Sequence, residues 1–203
     1  METLSLFDNL TSPQKPPSVP TDTATKHVLI FDVETQKSFQ EVGGRQNLHK
    51  LRVAAAVCYH NLDQSYRHYT ETTVLQLIAE LQKADLVIGF NLLGFDYGVL
   101  QPYAGIHPLS KLPTLDLMDD IFRRHGTRIG LNALGQSTLG AQKSGDGLQS
   151  IQWFKEGKTD LILKYCEQDV RLTKELYEFG KRHGHVLYQN PHSHQMIKLD
   201  VSW

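Results

Sequence analysis

Cysteine is scarce in this chain, with only Cys58 and Cys166 among 203 residues. That excludes a small disulfide-stapled scaffold. Cys58 lies in an apolar run and Cys166 in a helical pattern, so both are expected as buried small hydrophobes in a reducing compartment. Long apolar runs are lacking too, and no stretch approaches the ~20 residues that a membrane-spanning helix needs. The opening Met-Glu-Thr-Leu-Ser has neither the basic nor the apolar region of a signal peptide. A soluble cytoplasmic protein with no membrane partner is expected. An excess of one charge is also missing, since 21 Lys and Arg stand against 22 Asp and Glu. Without a global field to attract a polyanion, any nucleic-acid surface has to be local.

What is present is an apolar fraction of 40%, enough for a sizeable core and, at this length, for one compact domain. Residues 1–26 stand apart. Pro13, Pro16, Pro17 and Pro20 lie there among Ser, Thr and Lys, a composition that cannot bury enough surface to order itself. The expected organisation is a disordered N-terminal arm over 1–26 followed by a domain over 27–203. The arm's tip places Leu4, Leu6, Phe7 and Leu10 on a segment with no core to enter.

Val28-Leu-Ile-Phe-Asp-Val-Glu-Thr35 reads as a buried central strand. A glycine-containing turn leads from it to a second strand over 51–59, and alternation over 65–70 predicts a third, more exposed one. Val74, Leu77, Ile78 and Leu81 form the stripe of an amphipathic helix, with Thr72 as the capping candidate. A short strand over 86–90 turns into a helix ending near Tyr103 that holds Asp96 in its first turn. Further on, the pattern predicts a strand over 112–118, short helices over 119–124 and 131–139, and a glycine-rich loop over 140–147. A long helix from Asp160 stopped by Gly184 and a two-stranded closing flap complete an α/β domain on a mixed sheet flanked by helices.

The chemistry begins with Asp32 and Glu34. Two apart on a strand, they project to one side with Cα atoms ~6.6 Å apart. Anions that close repel unless compensated, and the compensator suited to all-oxygen ligands is a hard cation, Mg2+ or Mn2+. A solvated strand end is the plain alternative. In the first helical turn Asp96 also suits the helix dipole without any metal. Tyr165 and Asp169, four apart, share one face of the last long helix.

Three segments, taken in order, resemble the exonuclease motifs of the DEDD 3'-5' exonucleases: Phe-Asp-Val-Glu-Thr at 31–35, Gly-Phe-Asn-Leu-Leu-Gly-Phe-Asp at 89–96 and Tyr-Cys-Glu-Gln-Asp at 165–169. Tyr165 lies four before Asp169. The histidine branch would want His five before, where this chain has Lys164, so the resemblance is to the tyrosine branch. Within it the chain is similar to bacterial predicted exonucleases related to the proofreading domain of family-B DNA polymerases, over about residues 26–203. The resemblance implies a ribonuclease H-like fold and removal of nucleotides from a single-stranded 3' end of DNA or RNA. It implies two Mg2+ or Mn2+ ions, with Asp32 bridging them and Glu34, Asp96 and Asp169 completing their ligand sets. Tyr165 would hold the attacking water; a phenol of pKa ~10 is a poor base at neutral pH, so orientation is its expected part. The tip Thr3-Leu-Ser-Leu-Phe7 resembles the bacterial sliding-clamp-binding motif, with Thr3 where glutamine is usual, which implies a clamp partner held through Leu4, Leu6 and Phe7. Other readings are a clamp-tethered binding module with weak nuclease activity and a structure-specific endonuclease.

The remaining polar groups have ordinary readings. Asp116, Asp119 and Asp120 are expected at a strand end or on a solvated helix face, and His183, His185, His192 and His194 as a surface cluster without zinc-site spacing. Trp153 and Trp203 are expected to pack. Arg123, Arg124, Arg128 and Lys143 are either surface charge or a local phosphate-binding patch.

Overall fold

The computed structural model describes residues 25–141 and 147–203. The expected arm, through residue 24, and residues 142–146 of the expected glycine-rich loop lie outside the described residues. Strand β1 (Val28–Thr35) leads through a 3-10 turn, Arg45–Lys50, to β2 (Val53–His60) and β3 (Ser65–Tyr69). Helix α1 (Val74–Leu81) precedes β4 (Leu86–Gly89), and α2 (Asp96–Ala104) precedes β5 (Thr114–Asp116). Then come α3 (Leu117–His125), α4 (Leu131–Leu139), α5 (Gly147–Lys155) and α6 (Thr159–His183), closed by the hairpin of β6 (His185–Gln189) and β7 (Met196–Asp200).

The main sheet has the order β3-β2-β1-β4-β5. The central β1 pairs antiparallel with β2 and parallel with β4, giving the expected mixed sheet flanked by helices. Alternation along β1 sorts its side chains between two layers. Leu29, Phe31 and Val33 join the core made with α1 and α2, whereas Ile30 joins the core made with α3, α4, α6 and the hairpin. Asp32 and Glu34 therefore fall on the side of Ile30, toward α6. All eight residues of β2 are buried, and its small Ala54 and Ala55 leave room for Ile162 of α6 to pack directly on the sheet. Near the carboxyl end of β1 the register slips, with Glu34 opposite Ala55 but Thr35 opposite Val53. Such a bulge re-aims side chains beside it.

Helix α6 buries Ile162, Cys166, Val170, Thr173 and Leu176 along one stripe. It ends where Gly184 takes a left-handed φ of 70° and its N–H bonds the Gly180 carbonyl, with Lys181, Arg182 and His183 in the last turn. Gly180 cannot be larger, because a Cβ there would run into the ring of Trp203.

Three local differences separate the structure from the sequence reading. The strand expected over 112–118 contracts to Thr114–Asp116 because the Asp116 carboxylate accepts from the Met118 and Asp119 N–H groups, at 3.1 and 3.2 Å, and starts α3 at Leu117. The N-cap of α1 is Thr73 rather than Thr72. At Gly147, the last residue of the expected glycine-rich loop, α5 begins, a helix that apolar periodicity did not reveal.

Candidate active site

The carboxyl end of β1 brings Asp32 and Glu34 against α6, which contributes Asp169. One carboxylate oxygen from each of the three lies within 4.8 Å of the others. Cys166, in the buried stripe of α6, fixes this docking: its Sγ lies 3.3 Å from the Asp32 carbonyl oxygen and 3.4 Å from Asp32 Oδ2. Tyr165, one residue earlier and buried, is hydrogen-bonded through its hydroxyl to Asp169. The i, i+4 spacing thus places phenol and carboxylate together, as expected.

Asp96 arrives from the opposite layer. It opens α2, is buried, and its Oδ1 accepts from the Val33 N–H at 3.1 Å. It stands outside the three-carboxylate cluster but close enough to Asp32 for their charges to repel. The structure therefore gathers all four expected acids and Tyr165 at one end of the sheet.

The electrostatics are those of a cluster of mutually repelling acids. Burial first, and then the charge of Asp169, push the Asp32 carboxyl up to about 7. Burial and then Asp32 raise Glu34 well above the usual carboxylate range, and the same two causes in the same order raise Asp96. Among the described residues no Lys or Arg forms an ion pair with Asp32, Glu34 or Asp96. All-oxygen, mutually repelling donors fit a hard divalent cation and not zinc. Tyr165 is also raised, by burial and then by Asp169, so its hydroxyl stays protonated at neutral pH.

Above the acids lies a cleft of about 340 Å³. Phe39 and Phe95 form one wall, edge to face with centroids 5.9 Å apart, and Leu148 and Ile151 of α5 form another. Lys37 is the one Lys or Arg among the described residues that line it. The Arg45 guanidinium sits 4.9 Å over the Phe39 ring from outside the lining set.

Sequence reasoning missed α5 and with it Ser150. Fully buried, Ser150 donates its hydroxyl to Glu34 Oε2, while Trp153 meets the Tyr165 ring edge-on with centroids 6.2 Å apart. The available signal was weak: Leu148, Ile151 and Phe154 follow helical spacing, but over a single short stretch behind a glycine-rich run.

Asp116 ends a strand, one of the two expected placements; it is buried there and accepts from the N–H groups of Asn91 at 2.8 Å and Leu93 at 2.9 Å as well as capping α3. Asp119 and Asp120 pair with Arg123 and Arg124 on the helix surface. Trp153 and Trp203 pack as expected. His183, His185, His192 and His194 form no metal-binding group among the described residues. Lys143 lies outside the described residues.

Among the described residues no helix is long and apolar enough to cross a membrane. A family model described as the RNase H superfamily matches residues 29–179, a span that runs from β1 into α6 and holds all four acids and Tyr165. In fold the chain is similar to the family B DNA polymerase from the hyperthermophilic archaeon Pyrobaculum calidifontis, with a TM-score of 0.56 over 76% of this chain at 17% identity. The match spans 24% of the polymerase chain. No curated protein sequence is a significant match.

Proposed function

From the premise that the chain belongs to the RNase H superfamily, we propose that it is a metal-dependent 3'-5' exonuclease, with residues 27–203 as its catalytic domain. The observation that carries this reading is the convergence of carboxylate oxygens of Asp32, Glu34 and Asp169 within 4.8 Å of one another, beside a cleft lined by Asp32, Glu34 and Asp96. Those four acids would hold two Mg2+ or Mn2+ ions. When bound, such ions supply Lewis-acid activation of water and stabilisation of the leaving oxygen.

The chain's own residues do the rest. The Tyr165 hydroxyl, held by Asp169 and kept protonated, orients the water for in-line attack at phosphorus. Cys166 and Ser150 hold the Asp32 and Glu34 carboxyls in place. Phe39, Phe95, Leu148 and Ile151 give the terminal nucleotide apolar walls and restrict water around the scissile bond. A cleft of about 340 Å³ suits a single-stranded end better than a duplex. Two free, buried cysteines suit a reducing, cytoplasmic setting.

The arm over 1–26 is proposed as a tether. Its Thr3-Leu-Ser-Leu-Phe7 segment would bind a bacterial sliding clamp through Leu4, Leu6 and Phe7, and the roughly twenty residues that follow would span ~25 Å and concentrate the nuclease at clamp-loaded DNA. A peptide of residues 1–12 is expected to bind the clamp with micromolar-scale affinity; equal null signals from the full chain and from Leu6→Ala with Phe7→Ala would dismiss the tether.

The nuclease reading is tested by incubating the full chain with 3'- and 5'-labelled single-stranded DNA, duplex DNA and RNA in Mg2+ or Mn2+. Release of mononucleotides from the 3' terminus, with circular single strands left intact, is expected. Nicking of the circle would turn the assignment to an endonuclease, and inertness on every substrate would refute hydrolysis.

A further inference from the structure

The turn over 91–95 lines two hollows. One is the acidic cleft; the other, of about 170 Å³, is reached through Asn91, Leu93 and Gly94 and has Met118, Phe122 and Arg128 as its far wall. The Phe122 ring is 37% exposed and Leu93 46%, and the Arg128 guanidinium lies 4.9 Å from the Phe122 ring centroid. The acids at this hollow are already satisfied. Asp116 accepts from four backbone N–H groups, and Asp119 pairs with Arg123 at 2.6 Å. Arg128 forms no ion pair among the described residues, unlike its neighbours Arg123 and Arg124. An exposed ring under a guanidinium without a carboxylate partner offers a face on which a base can stack and a charge on which a phosphate can rest.

We propose that this hollow is the subsite for the nucleotides that precede the terminal one. A single strand with its 3' end in the cleft crosses the 91–95 turn, stacks a base against the Phe122–Arg128 pair and sets a phosphate on Arg128. Continuity with the cleft through Asn91 and the unmatched positive charge favour this occupant. The assignment rests on the nuclease reading above and adds to it the part of the surface that distinguishes a polynucleotide from a terminal nucleotide alone.

The test uses the full chain and oligothymidylates of two to eight nucleotides, with binding measured by fluorescence anisotropy in Ca2+ and cleavage measured in Mn2+. Arg128→Ala is expected to weaken the eight-nucleotide probe on the order of tenfold and to lower the slope of log affinity against log salt by ~0.7, an effect that shrinks as the probe shortens. Phe122→Ala should weaken the same probe without changing the salt slope, and Phe122→Leu keeps the packing if the alanine variant fails to fold. Lys83→Ala, exposed in the turn that enters β4, is the control and should change neither. Wild-type affinity and salt slope in both the Arg128 and Phe122 variants would overturn the subsite. Arg128-dependent binding without any cleavage by the parent chain would instead remove the nuclease reading and leave the subsite standing.

Discussion

Two strands flank β4, and each ends in a buried carboxylate with the opposite kind of surroundings. At the end of β5, Asp116 is met by four backbone N–H groups, two from the 91–93 turn and two from the start of α3. At the end of β1, Asp32 and Glu34 meet mostly other carboxylates, with Asp96 and Asp169 closing in from α2 and α6. Burial alone therefore does not mark a functional acid. Donors around Asp116 make its charge a structural asset, whereas the scarcity of donors around Asp32 makes its ionisation costly.

Neutralising each acid should pull the two regions apart. Asp32→Ala, Asp96→Ala or Asp169→Ala is expected to abolish divalent-dependent cleavage, by ~10³-fold or more, while the metal-free thermal midpoint stays level or rises because repulsion is relieved. Near wild-type rates in all three at saturating Mg2+ would end the metal-site reading. Asp116→Ala should do the reverse in calorimetry, losing ~2–4 kcal/mol of stability as a helix cap and the acceptor of two further, part-buried N–H groups are lost. An unchanged midpoint there would dissolve the contrast.

The acid cluster should also reveal itself through pH. Asp32 ionises near 4 in the unfolded chain and at about 7 when folded, and Glu34 and Asp96 are shifted the same way. Between those values the folded state holds more protons than the unfolded one, so stability falls as pH rises. Metal-free protein is expected to lose on the order of 2 kcal/mol from this source between pH 5 and 8, and added Mg2+ should flatten the slope. A chelated sample with no slope over that window would contradict the picture.

Smaller effects are expected at the residues that hold groups in place. Tyr165→Phe should slow cleavage about tenfold with divalent binding intact, since orientation of a water contributes less than a ligand; a loss as large as that of Asp32→Ala would give the phenol a chemical step. Ser150→Ala should weaken divalent binding by about tenfold through a freer Glu34, measured by calorimetric titration.

Much of this was legible in the residues because strand and helix periodicities carry it. The alternation of β1 placed Asp32 and Glu34 on one side, and the four-residue spacing paired Tyr165 with Asp169. What escaped depends on contacts between distant segments. Ser150 is 116 residues from its partner Glu34, on a helix too short and too weakly patterned to announce itself. The strand-end position of Asp116 was within the sequence reading, but its four hydrogen bonds were not, because the sequence contains nothing to mark the Asn91 and Leu93 amides that turn toward it.

The distances along the chain have a consequence for how the protein comes to exist. Cys166 touches Asp32 across 134 residues, so the site closes only when α6 docks on a sheet whose strands precede it. Loop closure over such separations is slow compared with pairing the neighbouring β1 and β2, and chains emerge from synthesis amino end first. A growing chain would carry Asp32, Glu34 and Asp96 long before Tyr165 and Asp169 reach them, so the acid cluster is among the last features of the fold to be completed.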